Sequence, residues 1–171
     1  YRYVAALNAA RNFRETALYL EKRKKAGKLL APEVLELARA EFEMGNFKEA
    51  ERLFGDLDKG LVNQDDYSLL SADLRLVDNQ PEEAKKTYEW LARQSDKTLV
   101  RFTALLRLSS FATGPAEREK ILKEAAAVFP LFGNTVLADY YLSLGRFQDA
   151  VNLLEKVPNT ERNFLQVRQL G

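Results

Sequence analysis

Apolar positions recur along this chain with a helical period. Leu37, Ala38 and Phe42 make one run and Leu53, Phe54 and Leu57 the next, and the pair returns as Leu137, Ala138, Tyr141 and Leu153, Leu154, Val157. Spacings of three and four residues put each set on one helix face. Between the two runs of each pair stands the same punctuation, Gly45-Asn46-Phe47-Lys48-Glu49-Ala50 and Gly145-Arg146-Phe147-Gln148-Asp149-Ala150. No segment alternates convincingly with period two, so strands are not expected and the chain reads as all-α. Steps of 34 from Phe47 reach Phe13 behind it and Pro81 and Pro115 ahead, and a final step of 32 reaches Phe147. This predicts five helix pairs, at approximately residues 1–30, 31–64, 65–98, 99–130 and 131–158. A terminal helix over 160–171 follows, with Phe164, Leu165 and Val167 suited to covering the fifth pair.

Prolines mark the predicted helix ends. Pro32, Pro81 and Pro115 fall at first helical positions, where the missing N–H costs nothing, and Pro130 and Pro158 follow runs that cannot continue through them. Acidic residues after Pro81 and Pro115 suit the positive end of a helix dipole.

The recurrence resembles the tetratricopeptide repeat family over essentially the whole chain. That resemblance implies a right-handed superhelical α-solenoid of antiparallel helix pairs, with small residues where helices cross, a tight turn between them and large residues packing on the next pair. The crossing positions are then Ala38 with Ala50, Ala72 with Ala84, and Ala138 with Ala150, and the turns lie at Gly45, Asn79 and Gly145. The large positions are Leu20, Phe54, Tyr88, Leu122 and Leu154. Two pairs depart from the pattern. The fourth has Leu106 and Arg118 at its crossing, which predicts a wider or shifted pair, and the first has Thr16. The piece reads as one stretch of a longer array.

Composition narrows the function. Of 171 residues, 46% are hydrophobic and 30% charged, enough for a continuous core and unlike a disordered tail. With 26 basic against 25 acidic residues there is no basic arm for nucleic acid. Histidine and cysteine are both absent, which removes the commonest general base, the thiol nucleophile and ordinary zinc or haem ligation. The glycines form no phosphate cradle, and no apolar run approaches a membrane span. From Asp56, an EF-hand register would put Tyr67 where the twelfth-position glutamate belongs, so the acidic stretch 56–66 reads as a turn with helix-capping aspartates. The run Lys22-Arg23-Lys24-Lys25 reads as a solvated helix C-terminus. Neither catalysis nor a cofactor or metal is expected.

In the resembled family the first helix of each pair lines a concave groove that binds peptides. Carried over, the groove consists of Leu35, Arg39, Phe42, Leu69, Leu70, Asp73, Leu76, Thr103, Arg107, Phe111, Thr135, Val136, Asp139 and Leu142. Its column Arg39, Asp73, Arg107, Asp139 alternates in sign. That fits either a trough for a protein or peptide or a ladder of ion pairs needing no ligand. Asp66 and Asp73 stand where family members that clasp the acidic tails of chaperones use cationic or amide groups, so such a clamp is not expected. The resulting expectation is a non-catalytic interaction scaffold. The alternative is a structural spacer within a larger assembly, such as the bacterial envelope or exopolysaccharide export systems that use arrays of this kind; a ligand-binding sensor is a third reading. The residues favour neither bacterial periplasm nor cytoplasm.

Overall fold

Helices account for the whole architecture of the residues that the computed structural model describes, 12–27 and 29–155. Among them are nine α-helices, two 3-10 turns and no strand. The chain divides into two units, residues 1–87 and 88–171, with the boundary inside a helix. The terminal helix expected over 160–171 lies outside the described residues, as does Pro158.

The first unit holds α1 (Phe13–Ala26), α2 (Ala31–Glu43), α3 (Phe47–Gly55), a 3-10 turn (Lys59–Leu61), α4 (Gln64–Val77) and the start of α5 (Pro81–Gln94). Helix α2 packs on α1, α3 and α4, and α3 packs on α4. Their shared core contains Leu20, Leu35, Leu37, Ala38, Ala50, Leu53, Leu70 and Leu74. The second unit continues with α6 (Thr98–Leu108), a 3-10 turn (Ser109–Phe111), α7 (Pro115–Val128), α8 (Pro130–Ser143) and α9 (Phe147–Leu154). Here each helix from α6 to α9 packs on the next. Leu122, Ala126, Leu137, Ala138, Tyr141 and Ala150 form the core, with Leu106 and Val136 packed against it.

Three turns have the same build, and the sequence explains why. Gly45 (φ +83°), Asn79 (φ +59°) and Gly145 (φ +72°) adopt the left-handed conformation, which glycine enters freely and asparagine tolerates. In each, the left-handed residue's N–H bonds back to the carbonyl three residues earlier, Phe42, Leu76 or Leu142. The following N–H reaches Glu41, Arg75 or Tyr141, at 2.8–2.9 Å. Both bonds satisfy carbonyls that the helix end leaves without partners. The six alanines expected at crossings are at most 1% exposed, so a larger side chain there would have to displace its neighbours.

The fourth predicted pair departs from this plan, as its sequence does. Helix α6 runs into a 3-10 turn rather than a left-handed one, Leu106 is half-buried, and Arg118 is exposed with its guanidinium 5.4 Å from the centre of the Tyr140 ring. Proline behaves as its chemistry requires: Pro81, Pro115 and Pro130 each open a helix, and Pro32 is second in α2. The acidic stretch is capped differently from expectation. Asn63, not an aspartate, caps α4, its Oδ1 accepting from the N–H groups of Asp65 and Asp66 at 3.0 and 3.1 Å, while Asp58 caps the 3-10 turn.

Candidate partner-binding surface

The fourteen residues of the predicted groove fall into three groups by what surrounds them. Leu35, Leu69, Leu70 and Asp73 are buried. Leu35 and Leu70 belong to the core of the first unit, so they hold helices together and have no surface to offer a ligand. Their helical period places them on an inward face, and that face is the core. Phe42, Leu76, Thr103, Arg107, Phe111, Thr135 and Val136 are half-buried, as is Arg39. Asp139 and Leu142 are exposed.

In the first unit the charged position is already engaged. Arg39 donates to Glu36 Oε2 (3.5 Å), Asp66 Oδ1 (3.3 Å) and the Asp66 carbonyl (3.4 Å), with only 14% of its side chain exposed. Burial alone would lower its pKa, but the carboxylates of Glu36 and Asp66, joined by the field of Asp73, outweigh it and hold it above the ordinary value. Phe42 turns its ring toward Phe47, 5.3 Å away.

In the second unit more of the surface stays open. Thr135, Asp139 and Leu142 follow one another at i, i+4 and i+7 on α8, so they share a face. Thr103 and Arg107 do the same on α6. Leu106 of α6 and Val136 of α8 pack against one core cluster. Both threonine hydroxyls donate to carbonyls of their own helices, Thr103 to Leu99 and Thr135 to Leu131. Phe111 lies with its ring 6.4 Å from that of Tyr88.

Two polar constructions were not foreseen from the sequence. Glu33, 4% exposed, takes Arg23 Nη1 at 2.6 Å and accepts the N–H of Leu30 at 3.0 Å. Glu119 gathers Arg146 Nη1 (2.6 Å), Lys123 Nζ (2.7 Å) and the Tyr141 hydroxyl (3.0 Å). The Lys123 bond, then those from Arg146 and Tyr141, hold the Glu119 pKa down at about 2 against the effect of burial. Burial and that same carboxylate push Tyr141 up. The Arg146 guanidinium also lies 4.3 Å from the Tyr141 ring centre. Spacing gives no sign of the two arginine contacts, because Arg23 and Arg146 stand 10 and 27 residues from their carboxylates.

One further recess opens in the first unit, about 580 Å³, floored by Leu29, Val34, Leu53 and Leu57. The charged residues lining it, Lys24, Arg52, Asp56 and Asp58, cancel in sign. Among the described residues no group of three or more acidic side chains is placed to hold a metal ion, and no helix is long and apolar enough to cross a membrane. No family model, no curated protein and no solved structure matches this chain.

Proposed function

We propose that the chain is a non-catalytic interaction scaffold, built of tetratricopeptide-type hairpins stacked as a solenoid, and that it takes a protein or peptide along α6 and α8. The observation that carries this reading is the exposed pair Asp139 and Leu142, in line with half-buried Thr135 on one face of α8. An acid and an apolar group on one face of α8, with a base on α6, suit an extended peptide or an amphipathic helix. The lack of histidine and cysteine, and of any phosphate-binding glycine motif, supports a role without catalysis.

The test is selection of peptides from a displayed random library by the whole chain, followed by affinity measurement on Arg107→Glu and Asp139→Lys. Charge reversal at a contact should weaken the selected peptides by more than about tenfold, or roughly 1.4 kcal/mol, with little change in the thermal melt. Equal affinity for the parent and both variants would remove the α6–α8 surface from consideration.

A structural spacer is the second reading, favoured by the first unit. There Arg39 is held by Glu36 and Asp66, and Leu35, Leu69, Leu70 and Asp73 are buried, which leaves little to read. Such a spacer would set distances in a larger assembly, of the bacterial envelope or polysaccharide export kind. Failure of the library to yield any peptide that competes at α6–α8 would favour it.

A further inference from the structure

Helix α1 divides a run of cations that the sequence presents as one block. Its inner side buries Thr16, Ala17 and Leu20, and the helix packs on α2. Within the run, Arg23 turns to Glu33 at 2.6 Å and Lys24 to Glu21 at 3.1 Å. Lys22 and Lys25 do neither. With Arg14 and Leu18 they follow one another at spacings of four, four and three residues, which puts all four on the side turned away from the buried residues. Arg14, Lys22 and Lys25 are exposed, and among the described residues no carboxylate takes any of them. Leu18, between them, is 65% exposed. Of the two acids of α1, Glu21 holds Lys24 and Glu15 takes the Asn12 amide at 2.9 Å.

The same frame on α3, 34 residues further on, neutralises itself. Leu18 corresponds to Arg52 and Lys22 to Asp56, and Arg52 donates to Glu49 at 2.6 and 2.8 Å and to Asp56 at 3.4 Å. On α1 a leucine replaces that arginine and a lysine that aspartate, so no such closure forms and positive charge faces outward. We propose that this side of α1 docks an acidic amphipathic helix of a partner protein, with carboxylates on Arg14, Lys22 and Lys25 and an apolar side chain on Leu18. From Arg14 to Lys25 the line runs about 16 Å along the helix axis, and a second helix has the same period with which to meet it. Charge complementarity fixes the sign of the partner. A membrane surface is a poorer match, since an interfacial helix buries several apolar side chains from one face and this one offers Leu18 alone. The inference is independent of the α6–α8 reading, because the two share no residue.

The probe is an alanine-rich helical peptide carrying glutamate, glutamate, leucine and glutamate at successive spacings of three, four and four, the α1 line read in reverse for an antiparallel match. Binding to the whole chain at low salt is compared with two further peptides. One has the same composition with its glutamates spread around the helix, and the other has lysine in place of glutamate. The matched peptide should bind at least about tenfold more tightly than either. Joint replacement Arg14→Glu, Lys22→Glu and Lys25→Glu should invert the preference toward the lysine peptide, whereas Lys120→Gln, at an exposed position of α7, should change nothing. Should the triple variant lose helix content, Lys22→Gln and Lys25→Gln decide singly: each should weaken the matched peptide by about threefold or more, and unchanged affinity in both overturns the proposal. Equal affinity for the matched and rearranged glutamate peptides would also overturn it, by reducing the face to unspecific charge. So would displacement of the matched peptide by vesicles of phosphatidylcholine and phosphatidylserine in equal parts, which would point to a membrane.

Discussion

Position 33 in α2 and position 133 in α8 hold the same place in two hairpins 100 residues apart, yet one is a glutamate and the other has no side chain. Glu33 is a strut. Its carboxylate is buried against α2 while it grips Arg23 of α1 and the N–H of Leu30, across a connector of four residues. Gly133 is the opposite. A Cβ placed there would lie 2.4 Å from the Ala126 Cα and 2.8 Å from its nitrogen, so α7 and α8 meet backbone to backbone, joined by Phe129 alone. A single repeat frame therefore accepts two separations between a helix and its predecessor. The size of one residue and the length of one connector select between them.

Gly133→Ala breaks the closer of these contacts, and its sign is informative. In a helix interior alanine is favoured over glycine by about 0.8–1.0 kcal/mol on propensity alone. The obstruction is backbone, which cannot swing aside, so overpacking should prevail at the upper end of its usual range, roughly 3 kcal/mol. Denaturant unfolding of the variant should show a clear loss. A gain would mean that α7 and α8 are not in backbone contact.

The second comparison concerns the crossings. Ala50 and Ala150 are equally buried, but Phe147, which opens α9, is 66% exposed where Phe47, which opens α3, is 40% exposed. Leucine at either site adds volume where none is spare. Ala50→Leu should cost roughly 2 kcal/mol, and Ala150→Leu less, since the more exposed helix has more room to shift outward. Equal losses in the two melts would show that α9 is held as firmly as α3.

How much of this could be read beforehand depends on how local the cause is. The turns at Gly45, Asn79 and Gly145 were legible because a left-handed residue after a helix demands particular residue types at that very position. The burial of the six alanines was legible because they recur. Gly133 was not, because the need for it arises from the Ala126 backbone and leaves no trace in its neighbours. Nothing beside Glu33 and Glu119 in the sequence points to Arg23 and Arg146, which lie outside their own helices. In the candidate site, the family resemblance put Leu35 and Leu70 in the groove with Arg39, but it carries no measure of depth. It could not separate core from groove.

Glu33→Gln tests the strut with a smaller perturbation. The amide oxygen can still accept from Leu30, while the charge that holds Arg23 is gone. Arg23 is 42% exposed and returns to water when released, so the loss should be about 1 kcal/mol, the ordinary scale of one hydrogen bond. Combining it with Arg23→Ala should add little further loss, because both changes remove one interaction. Full additivity would show that the two side chains act separately.

The smallest expected effect comes from the far end of the second hairpin, and it is visible only as a pH dependence. Directly after the turn, Arg146 reaches α7 through Glu119 and also holds Asp149 at 2.7 Å, whereas its counterpart Asn46 donates to Glu41, within its own hairpin, at 2.7 Å. With its pKa at about 2, Glu119 lies below the value near 4.3 expected of an unfolded glutamate. A depressed folded-state pKa means that the unfolded chain binds the proton more readily, so stability is lost as pH falls. The contribution should be whole above about pH 5 and fade progressively toward pH 2. Glu119→Gln removes it at every pH. The gap in melting temperature between parent and variant should therefore stay constant from neutral pH down to about pH 5.5 and narrow below that. The gap itself should be modest, because Lys123 and Arg146 are substantially exposed and solvent screens their attraction. A gap that is the same at pH 3 as at pH 7 would show that Glu119 does not bind α9 to α7 through its charge.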